Sequence, residues 1–223
     1  MARGAGGGRT VGNWVGHIAI SVVPLVVAVV LHEVAHGTVA YSLGDPTAAR
    51  AGRLTLNPLR HVDPFGTLVL PGLLLMAPVL FGTRPVVFGY ARPVPVDFAR
   101  LHHPRRDTIL VALAGPGTTL VLAAASAFVL ARVSGGRGDE TVAARLAAAS
   151  FVINCVIAVF NLIPLPPLDG GRVLVALLPA RMVPMLARVE RFGMVVVLLI
   201  VMNTNLVGRM VRPVMALLLG LVS

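Results

Sequence analysis

The sequence predicts an all-α polytopic membrane protein, a bundle of about 4–6 transmembrane helices with a short β-hairpin or re-entrant segment. Three observations carry this expectation. Of the 223 residues, 57% are hydrophobic and 13% charged, with a mean hydropathy of +0.87. A soluble domain is about 45–50% apolar and about 25% charged, so the composition argues against a soluble globule. Apolar stretches also recur from residue 15 almost to the end without a long polar linker, so a flexible glycine-rich tail (1–12) precedes a single integral membrane domain (13–223). Finally, the net charge of +10 comes from 19 cations, all Arg, lying in short loops between apolar runs. A nucleic-acid binder would gather them on one exposed polar face, so this charge reports membrane orientation and no nucleic-acid partner is expected.

The first segment covers residues 13–43, with an uncharged run from Ile18 to Leu31 followed by His32 and Glu33. A crossing takes about 20 residues at about 1.5 Å each, so the helix must continue to about residue 40. HEVAHG therefore falls in its C-terminal half. A signal peptide would carry a small-residue cleavage site there, so this helix is expected to be retained. Residues 44–65 are polar and turn-rich, and the alternation Arg53-Leu54-Thr55-Leu56 predicts a short strand or hairpin. Residues 66–82 are apolar but short and contain Pro71 and Pro78, which predicts a broken or re-entrant element.

Residues 83–106 hold five arginines and the proline-alternating run YARPVPVDF, which must be extended. Residues 107–131 are long enough to span, with a Gly-Pro-Gly interruption near their start, and RVSGGRGDE after them is a loop. The next span, 143–163, is stopped by Pro164, Pro166 and Pro167. A weaker apolar stretch to Leu186 follows, then a span from near Phe192 and a tail with Arg209 and Arg212. Cys155 alone permits no intrachain disulfide and reads as a buried small residue.

The chemistry concentrates in His32-Glu33-Val34-Ala35-His36. Histidines at i and i+4 project from one helix face and can share a metal, and zinc accepts this pairing, with the adjacent Glu33 placed to take a proton from a metal-bound water. Desolvating two histidines and a carboxylate inside a membrane helix costs several kcal/mol unless they are paired, so such residues mark function. A catalytic zinc takes three protein ligands and keeps a position for water. Asp169, in LPPLDGG after a proline-broken helix end, is the favoured third ligand, because one Zn²⁺ with Asp169 and Glu33 sums to zero formal charge. His61 and Asp63 in NPLRHVDP compete for the role from what reads as a surface connection. His17, His102 and His103 have no evident partner.

HEVAHG in a first membrane helix, AGPGTT opening a later one and NLIPLPPLDGGR ending another resemble the site-2 protease family of intramembrane zinc metalloproteases. GRLTLNPLRHVDPFGT and FGYARPVPV are similar to its small, compact bacterial and archaeal branch, and the resemblance covers roughly residues 15–180. It implies hydrolysis of a peptide bond within or near a transmembrane segment of another protein. It also implies one Zn²⁺ per chain held by His32, His36 and Asp169, with Glu33 as general base. Asn161 matches a family asparagine that holds the substrate or stabilises the oxyanion, a role open to a carboxamide donor near the metal. The chain departs from the pattern at Thr119, where the family often has Asn. Gly115 and Pro116 are expected to serve close helix packing.

The metal requires the C-terminal ends of the 13–43 and 143–163 helices to meet at one depth, so residues 44–106 must begin and end on one side of the membrane. Loops 44–65, 83–106 and 168–191 hold 12 arginines against 4 in the tail and the 132–142 loop, which places the first set in the cytoplasm of a bacterial or archaeal plasma membrane. The expected partners are a transmembrane protein substrate and membrane lipid. A helical substrate must unwind, and a strand in 50–57 would hold it by edge pairing. Two alternatives use the same ligands. A divalent-metal transporter would show repeated halves, which the sequence lacks, and an inactive client-binding homologue would not need the intact Glu33.

Overall fold

The computed structural model describes residues 7–69, 73, 76, 91–133, 141–183, 193, 195–197, 199–200 and 204–222. The described chain is mostly helical. Helix α1 runs Gly7–Ser42, α2 Pro104–Val133, α3 Val142–Asn161, α4 Asp169–Leu177 and α5 Leu206–Gly220. Three stretches among the described residues are long and apolar enough to cross a membrane, namely Ile20–Ser42, Pro104–Val133 and Val142–Asn161. Along α1, Val22, Val23, Leu25, Val26 and Val27 are exposed while Ala28 and Val30 are buried. A helix apolar on its outward face as well as its inward one suits hydrocarbon.

Each long helix has a local reason to start or stop. The Gly44 backbone, at φ 107°, ends α1. A Cβ there would stand 2.7 Å from His102 Nε2 as well as strain the backbone, so glycine is required twice over. At the start of α2, the buried Asp107 carboxylate accepts the His103 N–H at 2.7 Å, satisfying a donor that the helix leaves free. Thr141 caps α3 by accepting the Ala144 N–H at 3.2 Å.

The three long helices pack on one another, with α5 against α2 and α3 through Met210, Val211 and Val214 onto Ala123, Ala127, Phe151 and Cys155. Alanines at the seam let the backbones approach. Cys155 is fully buried in this cluster. Ser126 and Ser150 hydroxyls meet at 2.8 Å across α2 and α3, a polar tie in an apolar setting.

Several features differ from the sequence expectations. The helix extends back to Gly7, inside the segment read as a flexible tail. Pro116 lies within α2 without ending it, because tertiary packing overrides local propensity. No strand forms at Arg53–Leu56 or elsewhere among the described residues. The groups a ladder would use are engaged otherwise: the Arg53 side chain turns inward to the carbonyls of Arg92 and Pro93, and the Thr55 carbonyl accepts from His61 Nε2 at 2.9 Å. Of the 66–82 run, Pro64–Val69 begins as one wide helical turn, and most of the remainder lies outside the described residues. So does much of the span expected from residue 192, of which 193, 195–197 and 199–200 are helical.

The site depends on how residues 43–61 and 91–102 are joined. His102 N–H donates to Leu43 C=O at 3.0 Å, Asp97 N–H to Asp45 Oδ2 at 2.7 Å, and Arg92 N–H to His61 C=O at 2.9 Å. The chain therefore leaves and rejoins the same end of the bundle, where α1 ends and α2 begins.

Candidate metal centre

His32 and His36 stand one turn apart on α1 and are 5% and 4% exposed, their rings edge-to-face with centroids 4.7 Å apart. Asp169 opens α4, where the positive end of the helix favours a carboxylate. The glycines after it seat it. A Cβ on Gly170 would lie 2.5 Å from Ile163 O, and one on Gly171 2.5 Å from Leu165 C. Backbone atoms cannot yield as a side-chain tip would, so only glycines let the start of α4 fold down on the 162–168 turn, which contains the cis Pro166-Pro167 bond.

This turn delivers Asp169 to α1 across 137 positions of sequence. Asp169 Oδ2 lies 3.1 Å from His32 Nε2 and 3.1 Å from His36 Nε2, and the two Nε2 atoms are 3.1 Å apart. The three form a cluster of metal-ligand type among the described residues. The donor set fits zinc. Bonds of about 2.0–2.1 Å at tetrahedral angles set donor atoms about 3.3 Å apart. His36 Nδ1 donates to the Val111 carbonyl at 2.7 Å, which fixes the proton on Nδ1 and leaves the Nε2 lone pair facing its two neighbours. Three atoms of metal-ligand type converging this closely in a buried site suit a cation. His32 Nδ1 is buried with no hydrogen-bond partner among the described residues.

Glu33 is tied elsewhere. Its Oε2 accepts the Val94 N–H at 2.8 Å, from the extended YARPVPV stretch 61 positions away. Asn161 closes α3, half-buried, with Nδ2 donating to Ile157 O of its own helix at 3.0 Å. No hydrogen bond joins it to the histidines or Asp169 among the described residues. His61 is buried and spends Nε2 on Thr55 O, while Asp63 accepts the Gly66 N–H at 2.7 Å, so both stand apart from the cluster. Thr119, fully buried, bonds back to Pro116 O at 2.9 Å.

Sequence reasoning missed two contributors. The first is the Val94 N–H, whose signal lay in Pro93 and Pro95: a proline on either side leaves one donor in that stretch. The second is the exact use of Gly115. A Cβ there would stand 2.6 Å from His32 Cε1 and overlap His36 Nε2, so the close packing expected at this glycine is packing against both imidazoles.

Comparison with known proteins points the same way. The model of peptidase family M50 matches residues 136–204, which include Asn161 and Asp169. The candidate zinc metalloprotease YwhC of Bacillus subtilis is 39% identical over 185 residues, covering 80% of this chain and 78% of that protein. The candidate zinc metalloprotease Rip2 of Mycolicibacterium smegmatis is 27% identical, covering 87% of this chain and 71% of its own. Its namesake in Mycobacterium tuberculosis is 31% identical, covering 82% and 66%. No solved structure matches the chain.

Proposed function

The chain belongs to peptidase family M50, the site-2 protease family, and is a membrane zinc metalloprotease; from that premise we propose that it cuts a peptide bond within or near a transmembrane segment of another membrane protein, as a step of regulated intramembrane proteolysis. The observation that carries this reading is the 3.1 Å triangle of His32 Nε2, His36 Nε2 and Asp169 Oδ2 at the C-terminal end of a membrane-length helix.

In the proposal His32, His36 and Asp169 hold the zinc. Bound there, zinc supplies Lewis-acid polarisation of the scissile carbonyl and a lowered pKa for the attacking water. Glu33 takes the proton from that water and returns it to the leaving nitrogen. Its hydrogen bond from Val94 occupies one carboxylate oxygen and leaves the other for the proton it must move. Two carboxylates against one dication leave the buried centre without net charge, which lowers its cost in a membrane. Asn161, immediately before the 162–168 bend, is proposed to donate its amide to the developing oxyanion once substrate draws it from Ile157 O.

We further propose that residues 13–223 form one membrane domain with the site toward the cytoplasm of a bacterial or archaeal plasma membrane, as the arginine distribution favours. A crossing that begins near residue 192 and continues past the break at Thr204 and Asn205 into α5, with a re-entrant 66–82 segment, completes the bundle in this reading. The hydrogen bonds joining 43–61 to 92–102 support the re-entrant path, since a single full crossing would separate those segments.

The test compares zinc content and cleavage of a fluorogenic single-span peptide in detergent. Glu33→Gln is expected to keep stoichiometric zinc and lose cleavage, and Asp169→Ala to lose the zinc. Zinc lost from Glu33→Gln, or kept by Asp169→Ala, refutes the assignment of roles.

A further inference from the structure

Arg53 is 8% exposed, whereas the other two arginines of its polar connection, Arg50 and Arg60, are at the surface. Burial and then the positive charge of Arg92 lower its affinity for its proton, with the Glu33 carboxylate opposing them. Burying a guanidinium is costly without a specific return. Among the described residues its hydrogen bonds go only to main chain: Nη2 donates to Arg92 O at 2.8 Å and to Pro93 O at 3.4 Å. The residue that follows those two carbonyls is Val94, whose N–H reaches Glu33.

The segment 92–95 is thus pinned from three directions. Arg92 N–H is held by His61 C=O at 2.9 Å, the carbonyls of Arg92 and Pro93 by Arg53, and the Val94 side chain sits over Gly37, where an added Cβ would come 2.8 Å from Val94 Cγ1. Pro93 and Pro95 have no N–H, so Val94 carries the one main-chain donor between Arg92 and Val96. A proline-flanked segment also has little freedom to wander, which suits a fixed donor.

We propose that Arg53 is a positioning residue for the reaction: by clamping the carbonyls of Arg92 and Pro93 it holds the Val94 N–H on Glu33 Oε2 and so aims the general base. The inference rests on the reading of Glu33 as that base. Its consequence is specific. Loss of the clamp leaves the zinc ligands untouched, because none of them is hydrogen-bonded to Arg53 or Val94 among the described residues. It also leaves substrate binding largely intact, while the proton-transfer geometry relaxes. Misplacement by about 1 Å can cost about 100-fold in rate, so a loss in kcat of about 10- to 100-fold is expected.

The experiment uses the full chain in detergent, with zinc content, kcat and KM for a fluorogenic single-span peptide. Arg53→Ala and Val94→Pro are expected to lower kcat by about 10- to 100-fold with KM within about threefold and zinc at the wild-type level. Arg53→Lys, which restores one donor, is expected to recover part of the loss. Val94→Ala keeps the N–H and loses only the packing over Gly37, so its loss in kcat is expected to be smaller than that of Val94→Pro, and if Arg53→Ala does not fold, Arg53→Lys together with the contrast between Val94→Pro and Val94→Ala decides. Wild-type kcat in Arg53→Ala or Val94→Pro, a loss expressed in KM, equal losses in the two Val94 variants, or zinc lost in step with activity would each overturn the proposal. Full activity in Glu33→Gln overturns the base assignment itself, whereas activity lost in Glu33→Gln but kept in Arg53→Ala and Val94→Pro overturns only the positioning.

Discussion

Replacing Gly115 with Ala adds one methyl group beside the His32, His36 and Asp169 cluster. The new Cβ would lie 2.6 Å from His32 Cε1 and 2.7 Å from His32 Nε2, and would overlap His36 Nε2. Carbon atoms at rest stand about 3.5–4.0 Å apart, so the two rings must withdraw by about 1 Å. A metal site tolerates departures of only about 0.2 Å in its bond lengths. The rings cannot withdraw independently, because His36 is anchored by Nδ1 to Val111 O on the same helix that carries Gly115. Overpacking of this kind costs about 1–3 kcal/mol. At about 1.4 kcal/mol per tenfold, zinc affinity should fall by about 5- to 140-fold.

The assay is competition for zinc against a fluorescent chelator in detergent. Gly117→Ala serves as the control, since two residues along the same helix an added Cβ meets nothing within 4 Å. That variant should bind zinc as wild type does and gain slightly in helix stability, by about 0.5–1 kcal/mol. Zinc affinity for Gly115→Ala within twofold of wild type, or an equal loss in Gly117→Ala, would refute the packing of α2 against the imidazoles.

Two further outcomes are expected. Single cysteines at Thr55 and Arg100 in a Cys155→Ala background should be labelled by a membrane-impermeant thiol reagent from the same side, the cytoplasm, and labelling from opposite sides would contradict the shared end of residues 43–61 and 92–102. The Asp45 carboxyl would be raised by burial alone, but hydrogen bonds from the Thr47 hydroxyl and the Asp97 and Thr47 N–H groups, with Arg100 nearby, hold it below the usual carboxylate range. A folded value below the unfolded value of about 3.9 means that its stabilisation is present above about pH 4 and lost as pH falls through the folded value. The melting temperature of the wild type should therefore exceed that of Asp45→Asn at neutral pH and converge on it in acid, and a gap as wide at pH 3 as at pH 7 would show that the carboxylate's charge is not what stabilises the junction.

By itself the sequence determined the features that depend on near neighbours along the chain. Helical periodicity alone puts His32 and His36 on one face, and hydropathy over about 20 residues marks the long helices. In the proline-broken LPPLDGG, Asp169 was favoured over His61 and Asp63 because one Zn²⁺ with Asp169 and Glu33 sums to zero formal charge. Gly115 was legible as a packing glycine, though not what it packs against.

Only the tertiary structure decided the rest. The Arg53-Leu54-Thr55-Leu56 alternation suits a strand, yet a strand needs a partner edge. Here Arg53 is drawn instead to two carbonyls 39 and 40 positions away. Glu33 meets the Val94 N–H across 61 positions, and His36 meets Val111 O across 75. Such contacts leave no period or spacing in the sequence. They follow from which helix faces come together, and that is set by the summed packing of small residues along the α1, α2 and α3 seams, a property of the whole bundle that no single stretch of chain carries.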